Sequence, residues 1–134
     1  MLVRLSTRQT YKQCHQTITM SQTQVWNRRK LISELRKISI EGKDAFFKPS
    51  EDFDGNDGGI WTGGEGNPSL MDSFTDDEGK TYSCEMGMFD YQYEYNPRSI
   101  YTDFGVHPKV QAILDEAGWF AEWHDGGTMF LWKA

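Results

Sequence analysis

The chain has 134 residues, an aromatic content of 14%, and 14 basic against 20 acidic side chains, for a net charge of −6. That length suits one ordinary domain with its own core, and no apolar run approaches the roughly 20 residues that cross a bilayer as a helix. Two cysteines, Cys14 and Cys84, are too few for a disulfide scaffold and have no Cys/His neighbours at zinc-ligand spacing. Free thiols, a cytoplasmic location and no cofactor are therefore expected.

Residues 1–20 read as a basic tail ahead of a single domain over 21–134. The tail carries Arg4, Arg8 and Lys12 with no acid, and it lacks the apolar stretch of a secretory signal. Its composition fits a presequence or a leader before a second start at Met20. From Ser21 to Ile38 the spacing of Val25, Leu31, Ile32, Leu35 and Ile38 predicts a helix capped by Ser21 or Thr23 and stopped by Gly42. Residues 45–49 read as a short edge strand ended by Pro49. Residues 50–68 read as a glycine- and acid-rich loop broken by a brief strand at Ile60–Trp61–Thr62.

Leu70–Thr75 and Lys80–Met86 form a predicted hairpin around Asp76–Gly79, with Gly87 marking a break. His107 and Pro108 open a second helix, striped by Val110, Ile113, Leu114 and Ala117 and ended by Gly118. A last hairpin, Trp119–Asp125 with Thr128–Lys133, turns at Gly126–Gly127 or Asp125–Gly126. Its expected register puts Trp119, Ala121, Trp123, Phe130 and Trp132 on one face, toward the helices. The fold expected is α+β, an antiparallel sheet of about four to six strands with two helices packed on one face.

Charge is segregated. Residues 1–43 hold nine bases and two acids, a net of +7. Residues 44–103 hold three bases and fourteen acids, a net of −11, and residues 104–134 hold two bases and four acids, a net of −2. Such asymmetry bears on partner choice. The cluster Arg28, Arg29, Lys30, Arg36 and Lys37 has the electrostatics of a phosphate contact, but the acidic remainder repels nucleic acid, so direct nucleic-acid binding is not expected. The acidic middle raises the converse reading, a mimic that occupies a nucleic-acid-binding protein.

Three groups of residues carry possible chemistry. Asp52, Asp54, Asn56 and Asp57 supply oxygens of the kind a calcium loop needs, but the sixth and twelfth loop positions are Asp57 and Gly63, and no helices flank it, so a solvated turn is the plainer expectation. Phe89, Tyr91, Tyr93 and Tyr95, with Tyr101 nearby, form an aromatic row. It reads either as a ligand surface, whose acidic neighbours suit a cationic or polar partner, or as buried core. His124, His107, Asp125 and Glu122 are the candidate acid–base set, against which stands the reading of His124 as a surface residue and His107 as a helix cap. No nucleophile elbow or phosphate loop is present.

The run Ile113–Trp119, followed by a strand, Gly126–Gly127 and a second strand, resembles the start of HicA-type RNA-cleaving toxins over about twenty residues. Those toxins place a histidine just after the hairpin glycine, where this chain has Thr128 and Met129, and their helix opens the domain rather than closing it. No functional residue is carried over from them.

The expectation is a small acidic cytoplasmic binding or interaction protein, non-enzymatic and self-associating, with an unidentified protein or small molecule as ligand and no membrane contact. By analogy, such domains occur as phage or mobile-element cargo. Two alternatives stay open: the nucleic-acid mimic, and a small enzyme using His124 or His107 with nearby carboxylates.

Overall fold

The computed structural model describes residues 24–64, 66–93, 100–102 and 104–134. The basic tail, the caps Ser21 and Thr23, Cys14 and Tyr95 lie outside the described residues. Helix α1 spans Arg28–Ile38, and a 3-10 turn follows at Gly42–Asp44. Strand β1 is Phe47–Pro49, the single turn α2 is Glu51–Asp54, and β2 is Ile60–Gly63. The hairpin strands β3 and β4 are Ser69–Thr75 and Thr81–Gly87. Helix α3, Pro108–Ala117, leads into β5, Trp119–Asp125, and β6, Thr128–Lys133.

Four strands make one antiparallel sheet in the order β1-β2-β6-β5, and β3 and β4 make a separate two-stranded ribbon. The fold is α+β, as its alternation of helical and strand patterns requires. Helix α1 begins later than its apolar spacing suggests. Asn27 caps it by accepting the Lys30 N–H at 2.8 Å. The chain before it is turned aside instead, with the Trp26 N–H donated to Ala117 O and the Trp26 carbonyl accepting the Trp119 indole N–H at 2.8 Å. Helix α3 starts on His107 with Pro108 in its first turn and stops at Gly118, whose φ of 78° is a left-handed value glycine adopts without strain.

Leu31 and Leu35 from α1, and Val110, Leu114 and Ala117 from α3, are completely buried against one side of the sheet. That side presents Ile60, Trp119, Ala121, Met129 and Leu131. Phe120, Phe130 and Trp132 are buried in a second cluster with Trp61. The expected face of the β5–β6 hairpin is therefore corrected: Phe130 and Trp132 do not share a side with Trp119, Ala121 and Trp123. Pairing begins at Asp125 with Thr128, but Trp123 already faces Met129, so His124 is an extra residue in β5. A bulge of one residue reverses which side each later partner occupies. The aromatic content thus serves two layers rather than one.

Candidate functional site

The β5–β6 turn, the segment after β4 and the approach to α3 meet at one end of the sheet, and there they expose a group of aromatic rings. Phe89 is buried and bridges to Val106, which fixes the segment leaving β4 against the body. Asp90 then donates its N–H to Gly105 O and accepts the Gln92 N–H at 2.9 Å, turning the chain sharply. The turn throws Tyr91 outward, 48% exposed, with its ring edge-on to Trp123 at 5.2 Å. Gly126 lies beneath the Tyr91 ring, close enough that a Cβ there would sit 3.3 Å from it. The Trp123 indole N–H is held by Phe104 O at 2.7 Å, while the Phe104 ring is 49% exposed and Ile100 nearby in sequence is 43% exposed. Asp90 and the exposed Asp125 rim this patch; Asp125 also accepts the Gly127 N–H at 2.9 Å and so shapes the turn.

The predicted aromatic row is thereby divided. Phe89 is core, Tyr91 is surface, and Tyr93 is half-buried near Gly105. Tyr101 goes elsewhere: its hydroxyl donates to Gly87 O at 2.7 Å and its ring stands edge-on to His107 at 5.9 Å. Burial, with Asp90, Cys84 and Asp72 nearby, pushes its hydroxyl pKa up to about 12. The row does not continue as one strand because regular pairing stops at Gly87. Sequence reasoning missed Trp123 as the neighbour of Tyr91, and Phe104 as the residue whose carbonyl holds Trp123. Only the position of the β5–β6 turn brings them together, and nothing local in the sequence signals it.

The candidate acid–base residues do not converge. His107 is 1% exposed. Its Nδ1 accepts the Lys109 N–H at 3.0 Å, which places the ring proton on Nε2, and Nε2 donates to Asp72 Oδ2 at 2.7 Å. Burial pushes the imidazole pKa below its ordinary value, against the opposing pull of the Asp72 carboxylate. Asp72 in turn is held below the usual carboxylate range, first by the Ser73 N–H at 2.8 Å, then by Lys109, whose ammonium lies 3.3 Å away, and by His107. Both ring nitrogens are committed, so His107 acts as a clamp between α3 and the β3–β4 ribbon. The cap reading of His107 is correct, and its carboxylate partner lies 35 residues away, where no spacing rule reaches.

His124 is exposed on the other side of the sheet, edge-on to Phe53 at 5.0 Å and to Phe130 at 5.7 Å. Glu122 is buried there and accepts the Trp132 indole N–H at 3.1 Å. Asp52, Asp54, Asn56 and Asp57 lie in and just after α2. Asp54 spends both carboxylate oxygens on Asn56, at 3.0 Å and 2.8 Å, and the buried Ser50 hydroxyl closes the loop by donating to Asn56 O and accepting the Gly59 N–H. Among the described residues no group of three or more His, Cys, Asp or Glu converges as metal ligands would.

The basic face of α1 lines an open groove of about 800 Å³ with Arg28, Arg29, Arg36, Lys37 and Lys43. Hydrogen bonds from backbone N–H groups, with the Arg28 guanidinium paired to it at 2.7 Å, hold the Glu51 carboxyl down at about 2. Lys37 pairs with Glu34 at 2.7 Å. Part of this charge is thus matched within the domain.

Family models, curated proteins and solved structures give no match to this chain. No described helix is long and apolar enough to cross a membrane.

Proposed function

We propose that this is a binding protein that engages a cationic partner through the aromatic patch of Tyr91, Phe104 and Trp123. The observation that supports the reading best is Tyr91, half-exposed yet fixed in place by Trp123 and Gly126. A pre-oriented aromatic ring gives contact area at little entropic cost, and carboxylates at its rim favour an arginine or lysine side chain lying on the ring face. His107, with both nitrogens engaged, offers no free group for proton transfer, which favours binding over catalysis at that residue.

The test is calorimetric titration of the full chain with a short arginine-rich peptide, repeated with Tyr91→Ala. Saturable binding weakened about 2- to 30-fold by Tyr91→Ala, the range of about 0.5–2 kcal/mol for a cation on an aromatic face, supports the reading. Equal affinity in both forms, or no saturable heat, refutes it.

A further inference from the structure

The β3–β4 ribbon pairs with no strand of the four-stranded sheet; Leu70 joins the core and Asp72 ties the ribbon to α3. From Met71 to Glu85, however, most of its side chains are exposed, including Met71 at 49%, Phe74 at 49% and Tyr82 at 38%. Phe74 stacks on Tyr82 at 5.3 Å across the ladder, and the Thr75 and Thr81 hydroxyls meet at 3.0 Å. An isolated two-stranded hairpin is marginal in water and normally needs a further strand or a covering layer.

The two edges of the ribbon differ. Ser69 and Gly87 face each other in the ladder, and each directs its carbonyl outward: Ser69 O accepts the Ile40 N–H, and Gly87 O accepts the Tyr101 hydroxyl. Outward and inward residues alternate along an antiparallel pair, so the main-chain groups of Met71, Ser73 and Thr75 point out from β3, and those of Thr81, Ser83 and Glu85 point out from β4. On β3 the Ser73 N–H is taken by the Asp72 carboxylate. On β4 the main-chain N–H and C=O groups of Thr81, Ser83 and Glu85 have no hydrogen-bond partner among the described residues. Nor does β4 carry the lysine, proline or bulge with which proteins usually blunt an edge.

We propose that the β4 edge pairs with the β4 edge of a second copy, antiparallel about Ser83, to join two ribbons into one four-stranded sheet. The strand is complementary to itself in this register. Ser83 falls opposite Ser83 of the second copy, and Glu85 falls opposite its Thr81, so the one acid of the strand never meets its like and instead faces a hydroxyl. Each of the three facing pairs exchanges both main-chain hydrogen bonds. On the opposite side Tyr82 lies beside Cys84 of the second copy. The contact is isologous, which closes the assembly at two. It involves no residue of the Tyr91 patch.

The test is molar mass by light scattering on the full chain, on Ser83→Lys and on Ser73→Lys, with circular dichroism to check folding. Ser83→Lys sets two ammonium groups face to face on the pairing axis, whereas Ser73→Lys places the same charge on the outer edge of β3. A dimer for the natural chain and for Ser73→Lys, with a monomer for Ser83→Lys, is the expected result. A monomeric natural chain overturns the proposal, and so does a Ser83→Lys chain that remains dimeric. Ser83→Cys, with Cys14 and Cys84 replaced by serine, decides the matter independently of how Ser83→Lys folds. Facing residues in such a pair have Cα atoms about 5.5 Å apart, inside the span of about 4.4–6.8 Å of a disulfide. Oxidation of the folded protein to a covalent dimer is expected, and a product that stays monomeric refutes the pairing.

Discussion

Replacing His107 separates two things that this side chain does. His107→Ala removes both the cap of α3 and the bond to Asp72. Loss of an N-cap costs about 1 kcal/mol, and loss of a buried hydrogen bond to a carboxylate costs about 1–3 kcal/mol, so the sum is about 2–4 kcal/mol. His107→Asn keeps a good capping oxygen but is too short to reach Asp72, and it should cost only the second part. For a chain of this length each kcal/mol moves the melting temperature by about 3–5 °C, so calorimetry or chemical denaturation resolves the two variants.

The pH dependence has a definite sign. His107 is buried and its folded pKa lies below the ordinary value of about 6.5. The unfolded chain therefore takes up a proton more readily than the folded one, and the stability associated with the neutral ring is present above about pH 6.5 and lost as pH falls below it. Asp72, also lowered, adds its own loss only on approach to about pH 4. Between those values the natural protein should lose stability more steeply than His107→Asn. Parallel stability curves across that window, or equal losses for His107→Ala and His107→Asn, would refute the account of a neutral, doubly bonded imidazole.

Other consequences concern the core and the loop after β1. Trp119→Ala should cost about 3–5 kcal/mol, as other truncations of buried aromatics do, because the ring is fully buried and its N–H is held by Trp26 O. The half-buried Trp123 should cost less on the same change, and a reversed order in denaturant titrations would contradict the packing. Ser50→Ala strips the hydroxyl that closes the loop over residues 51–59, with a loss of about 1–3 kcal/mol for the buried Gly59 N–H left without an acceptor. Hydrogen exchange at Gly59 should accelerate; unchanged protection would mean the loop is held by other contacts.

Local chemistry was legible in the sequence wherever one residue type has a single physical use. Pro108 and Gly118 marked the ends of α3, Gly87 marked the end of β4, and the acidic turn at Asp76–Gly79 marked the β3–β4 hairpin. The apolar stripe of α3 named its buried residues, and the alternation of β5 put Trp119, Ala121 and Trp123 together. The start of α1 was less legible, because the fate of Val25 and Trp26 depends on a contact with α3 and β5 that their spacing does not encode.

Tertiary structure alone decided three matters. The bulge at His124 turned Phe130 and Trp132 to the far side of the sheet, since one extra residue reverses every later pairing and no pattern in β5 announces it. The partner of His107 was fixed by how the ribbon docks on α3, which brings Asp72 within 2.7 Å across 35 residues. The aromatic row was divided by the turn at Asp90, which buries Phe89 and exposes Tyr91 beside Trp123. Propensity and periodicity act within one element, whereas the partner of His107 and the division of the aromatic row follow from contacts between segments far apart in the chain, and the bulge follows from how β5 pairs with β6 rather than from β5 alone.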